Sequence, residues 1–171
     1  MLKTRGVEKL DRSAVDRIPP CSLAEFLRQQ RSDQGGGVAS EPAIREKWLT
    51  DLNQLYDLVE GWLGPEQAEG LVHLTRGQVI VIEEGLGWYD APSLVIGAGG
   101  KTVQLHPMGR LIADTTGQVD LICDQRRLPL VRDSKHRWLV VPGGPSGRPL
   151  VNARYLLTRQ SLSEALKLLL K

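Results

Sequence analysis

The chain has 171 residues, 41% of them apolar and 25% charged, a balance that supports one sizeable core and excludes wholesale disorder and fibrous classes. No stretch approaches the roughly 18 apolar residues of a membrane span, and the basic N-terminus (Lys3, Arg5, Lys9) has no apolar run behind it, so a cytoplasmic protein is expected. The net charge of +2 is unevenly spread: residues 43–125 carry five Lys/Arg against twelve Asp/Glu, and residues 126–171 carry ten against two.

In chain order, residues 1–21 mix charges without apolar periodicity and end near Pro19-Pro20, which reads as a flexible arm. Residues 22–171 then form a single α+β domain. Its helical part, 22–64, opens with a capping-box pattern from Ser22 to Glu25 and a short helix to about Arg31, followed by Gly35-Gly36-Gly37. Ser40 and Pro42 start a second helix whose stripe of Ile44, Trp48, Leu52, Leu55, Val59 and Trp62 recurs every three or four positions, with Gly64-Pro65 as the expected stop. The far face of that helix, with Glu46, Asp51, Asp57 and Glu60, is acidic.

From 71 to 142 the pattern changes to short β-rich runs: 79–84, 93–96, 102–106, 110–114, 118–123, 128–132 and 137–141. Hairpin-sized spacers separate them, too short for crossover helices, so an antiparallel meander of about six to eight strands is expected, open or closing as a partial barrel. Val79-Ile80-Val81-Ile82 is apolar on both faces and reads as a central, doubly covered strand. A Gly/Pro-rich loop at 143–149 leads into an extended segment. Ser161 and Glu164 then suggest a capping box for a closing helix that turns Leu162, Ala165, Leu166, Leu168 and Leu169 to the core. The four tryptophans, Trp48, Trp62, Trp88 and Trp138, read as packing anchors.

Several motifs invite a chemical reading. Gly97-Ala98-Gly99-Gly100-Lys101-Thr102 resembles the end of a phosphate-binding loop, but Val95 stands where the first glycine belongs and Thr102–Pro107 alternates like a strand; a hairpin turn accounts for it. Gly143–Arg148 suits an anion nest less well than a plain loop, because Pro145 removes a donor. His73, His106 and His136 lack zinc-binding spacings, and a metal site would have to be assembled by folding from residues such as His106, Asp114 and Asp120; no metal and no cofactor is expected. Cys21 and Cys123 stand far apart and read as reduced thiols. The segment from Val79 to Leu121 resembles a bacterial domain of unknown function, and that resemblance implies no mechanism.

Three functional readings follow. The leading one is a non-enzymatic binding or interaction module that presents an exposed Trp88-Tyr89 pair and Asp90 to a protein, a small ligand or a second copy of the chain. The second is nucleic-acid binding through the basic region 126–159, with Arg126, Arg127, Arg132, Arg137 and Arg154 tracking phosphates; the same charges could instead complement the acidic helix. The third is a hydrolase or sugar-processing enzyme using Glu84, Asp90 and His106.

Overall fold

The structure, a computed structural model, describes residues 41–110, 115–143 and 153–171. The expected arm and first helix, strand residues 111–114, nearly all of the 143–149 loop, Cys21 and Asp114 lie outside the described residues. Among those described, two helices and seven strands run in the order α1 (Glu41–Ala68), β1 (Val72–Glu83), β2 (Gly87–Ala98), β3 (Lys101–Gly109), β4 (Gly117–Cys123), β5 (Arg126–Arg132), β6 (Trp138–Val140), β7 (Tyr155–Leu156) and α2 (Arg159–Leu169). The fold is α+β, and the sheet is an open antiparallel meander in which every strand pairs with its neighbour in sequence, leaving β1 and β7 at the edges.

The apolar stripe of α1 buries Trp48, Leu52, Leu55 and Val59 as the spacing requires, and Tyr56 and Leu63 complete it. Each such side chain removed from water contributes about 1.5–3 kcal/mol. Asp51, expected on the wet face, is buried and donated to by the guanidinium of Arg132 at 2.6 Å. The helix also runs past Gly64-Pro65. Proline deletes a single bond to the carbonyl four residues back, and both Gly61 and Pro65 are exposed, so water can take that carbonyl. The true stop is Gly70, at a φ of 72°, with Leu71 N–H donating to the Glu66 carbonyl and Gly70 N–H to that of Gln67: a Schellman end.

Both helices cover one face of the sheet. Arg132 and Arg126, alternate residues of β5, reach Asp51 of α1 and the main-chain oxygen of Leu168 in α2. Between them lie Leu128 and Leu130, then by register Val119, Leu121, Leu105 and Leu94, all buried in a single core. The α2 helix starts one turn before the expected Ser161. Thr158 is its N-cap, and Ser161 sits at the third position as the reciprocal member of the capping box. Leu162, Ala165, Leu166 and Leu169 face inward as read, whereas Leu168 is exposed.

The β1–β2 hairpin is long, twelve residues in each strand, with one unbroken register. Burial nonetheless changes parity along it: Val72, Leu94 and Ile96 are buried near its base, but Val81, Tyr89 and Ala91 toward its tip. The switch falls at the Gly77–Ser93 pair, so the ribbon twists until its opposite face meets the core. A Cβ on Gly77 would stand 3.2 Å from the Ser93 hydroxyl, and glycine leaves the two strands free to coil there.

Candidate docking surface

The twist leaves the other face of the hairpin tip bare. Ile80, Ile82 and Trp88 are 63%, 82% and 73% exposed, and alternation puts all three on one side of the ribbon together with Asp90. Ile82 stands directly opposite Trp88, and Ile80 opposite Asp90. The run Val79–Ile82 is therefore not a doubly covered central strand. It belongs to an edge strand with one face inside and one outside.

Its main chain is phased as well as its side chains. Antiparallel ladders alternate hydrogen-bonded and non-hydrogen-bonded pairs. Pro92 has no N–H, and its carbonyl accepts from the Tyr56 hydroxyl at 3.1 Å, so the Gln78–Pro92 pair is of the non-hydrogen-bonded kind. Ile80–Asp90 and Ile82–Trp88 share that phase. The N–H and C=O groups of Gln78, Ile80 and Ile82 consequently point away from β2, to the side of β1 that has no strand partner among the described residues. Pairing of β2 with β3 begins only at Leu94, so the tip of the hairpin is a two-stranded ribbon among the described residues.

Of the expected exposed Trp88-Tyr89 pair, only Trp88 is at the surface. Tyr89 is 4% exposed on the inward face, where its hydroxyl donates to Glu83 Oε2 at 2.9 Å. Arg110 Nε lies 3.3 Å from Glu83 Oε1, and the Arg45 guanidinium sits over the Tyr89 ring, 5.8 Å from its centre. A register shift between Pro107 and Gly109 shapes this corner, and Gly109, at a φ of 128°, lets the β3 backbone pass close to the Glu83 carboxylate. Burial first, then the hydrogen bond to Glu83, pushes the Tyr89 phenol well above its ordinary range. A phenol that holds its proton so firmly is no general base near neutrality; it is a strut that fixes the inward face of the ribbon.

The remaining sequence-predicted groups are dispersed. Glu84 is exposed in the turn after β1. Asp90 lies on the outward face of the two-stranded tip and His106 on β3, on the side opposite Leu105. No hydrogen bond or ion pair joins Glu84, Asp90 and His106 among the described residues. His106 is the cross-strand partner of Asp120, but the Asp120 carboxylate, fully buried, already takes Gln118 Nε2 at 2.8 Å and the guanidinium of Arg127. No group of three metal-ligating side chains occurs among the described residues. No family model, curated protein or solved structure matches this chain.

Most of the C-terminal arginines have partners inside the molecule: Arg126 donates to the Leu168 carbonyl, Arg127 meets Asp120, Arg132 meets Asp51 and Arg137 meets Asp133. Arg154 also has an interaction. The glycine motif is the β2–β3 turn, with Gly99 and Gly100 at φ of 57° and 78°, as a two-residue hairpin requires. A groove of about 320 Å³ lies at the other end of the sheet, between α2 and strands β5 to β7. Its walls are chiefly Leu128, Val140, Pro142, Ala165 and Leu168. Of the polar groups on its rim, Ser161 is engaged in the helix cap and Gln160 donates to Glu164 at 3.4 Å.

Ile80 and Ile82 were missed as surface residues because an apolar run fits a buried central strand equally well. Pro92, in the paired strand, limits this part of β2 to one strand neighbour and so makes the tip a two-stranded ribbon. A strand with proline in its interior cannot be bonded on both sides.

Proposed function

We propose that this protein is a non-enzymatic interaction module that docks a protein partner on the outward face of the β1–β2 tip. The observation that carries the reading is the joint exposure of Ile80, Ile82 and Trp88 on one face of one ribbon. A tryptophan beside two aliphatic side chains, bordered by Asp90, has the anchor-and-rim composition of binding hot spots. The opposite face of the same ribbon is tied down by Tyr89, Glu83 and Arg110, so the surface is held rigid and little ordering entropy is lost on binding. For the nucleic-acid reading, the internal pairing of Arg127, Arg132 and Arg137 leaves fewer cations for phosphates. For the enzymatic reading, no convergent polar set supports it.

A photoreactive residue in place of Trp88 tests the proposal in cells that produce the protein. One reproducible cross-linked protein is expected, lost when Ile82→Ser is added and not seen from a photoreactive residue at Gln160. Equal cross-linking from positions 88 and 160, or indifference to Ile82→Ser, would refute it.

A further inference from the structure

Resting on that reading and extending it to the kind of partner, we propose that the edge of β1 left unpaired among the described residues binds an extended segment of another protein by strand addition, and that this segment carries apolar residues opposite Ile80 and Ile82 and a lysine or arginine at its end near Glu84 and Asp90. Three observations converge on this. The main-chain donors and acceptors of Gln78, Ile80 and Ile82 point out of the sheet in the phase an added strand needs. Edge strands are normally blunted by proline, lysine or an inward charge. Gln78–Ile82 has none of these and presents its two isoleucines instead. The other open edge of the ribbon, along Trp88–Pro92, is denied a donor by Pro92, which leaves β1 as the edge that can be extended.

Charge selects the occupant. Glu84 is exposed in the turn just beyond Ile82, and Asp90 lies on the outward face opposite Ile80, while neither of these carboxylates makes an ion pair among the described residues. A segment with a cation at that point satisfies them and gains the steering that complementary charge provides. In strand addition the main-chain bonds supply affinity and the alternate side chains supply choice.

The probe is a fluorescein-labelled peptide of about ten residues, the length of a long strand. One of its faces carries valines ending in a lysine, and the other threonines. Fluorescence anisotropy with the full chain is expected to rise saturably, and the affinity to fall with salt. Ile80→Pro is the decisive variant. The Ile80 N–H is not used by β2, so proline there leaves the hairpin ladder intact, as circular dichroism and the thermal midpoint should show, yet removes the donor for the added strand. Loss of binding by about tenfold or more is expected for Ile80→Pro, for a peptide N-methylated at the bonding positions, and for a peptide with glutamate replacing lysine.

No saturable binding by the wild-type chain overturns the proposal, as does Ile80→Pro binding as well as wild type. If Ile82→Ser with Trp88→Ala abolishes binding while Ile80→Pro does not, docking on the apolar face stands and strand addition fails. If Ile80→Pro abolishes it and the double variant binds normally, the edge is confirmed and the apolar-face reading fails. A concentration-dependent dimer abolished by Ile80→Pro, with no peptide binding, replaces the basic partner by a second copy of the chain.

Discussion

Gly117 begins β4 against the indole of Trp48, so closely that a Cβ built on it would lie 2.8 Å from the ring's Cη2 atom. The ring is itself fixed, 1% exposed and paired with Trp138 at 6.2 Å between centroids. Gly117→Ala therefore has to displace a packed tryptophan, and an overpacking cost of about 1–3 kcal/mol is expected. Urea unfolding reads it as a lower midpoint at unchanged slope. Combined with Trp48→Leu, which removes the offending ring atoms, the two costs should fall short of additive. Full additivity would show that the two residues do not press on each other.

The pair Asp51 and Arg132 ties α1 to β5, with side chains about one-tenth exposed and 2.6 Å between Oδ2 and Nη1. Removing one partner strands the other charge in the core, so Asp51→Ala should cost about 3–5 kcal/mol. Replacing both, as Asp51→Leu with Arg132→Met, should recover most of that loss, since apolar isosteres avoid the desolvation of two ions. Chemical denaturation of the three variants decides it, and a double variant no better than Asp51→Ala would contradict this reading.

How much of this is legible in the chain depends on whether the signal is local in sequence. The stripe from Trp48 to Val59, the hairpin turn at Gly99-Gly100 and the inward residues of α2 were readable because periodicity and glycine chemistry are local. The helix end was misplaced because Gly64-Pro65 is a louder stop than Gly70, yet the lost bond falls on the wet side. Asp51 was read as solvated because nothing local announces that Arg132, 81 residues away, will meet it. Trp88 and Tyr89 were read together, and strand alternation separates them. The outward face of the ribbon depends on a change of burial parity at Gly77, a property of coiling that no periodicity in β1 records.

That parity change predicts opposite outcomes at adjacent positions. Ile82→Thr alters a side chain 82% exposed and should move stability by no more than about 0.5 kcal/mol. Val81→Ala, one residue earlier and 4% exposed, should cost about 1–3 kcal/mol through lost burial and a residual cavity. Thermal or urea midpoints for the two variants check it. Equal costs would mean that the tip of the hairpin does not turn its odd-numbered side to the core.

Tyr89 and Tyr56 give the fold an alkaline limit. Burial is the main cause that raises both phenols far above the ordinary value of 10.0; Glu83 adds to it at Tyr89, and the Arg76 guanidinium opposes it at Tyr56. A raised folded value means that the folded state holds the proton more tightly than the unfolded one. The resulting stability is fully present below the unfolded value near 10 and is lost as pH climbs from there toward the folded value. Two of the three tyrosines should thus show no phenolate absorbance until the chain unfolds, and the unfolding free energy should fall steadily above about pH 10. Tyr89→Phe should lower stability at neutral pH, because Glu83 loses its donor, yet make the alkaline decline shallower, because one titrating group is gone. Smooth titration of all three tyrosines in the folded chain would break the link drawn between the buried strut and the surface it holds in place.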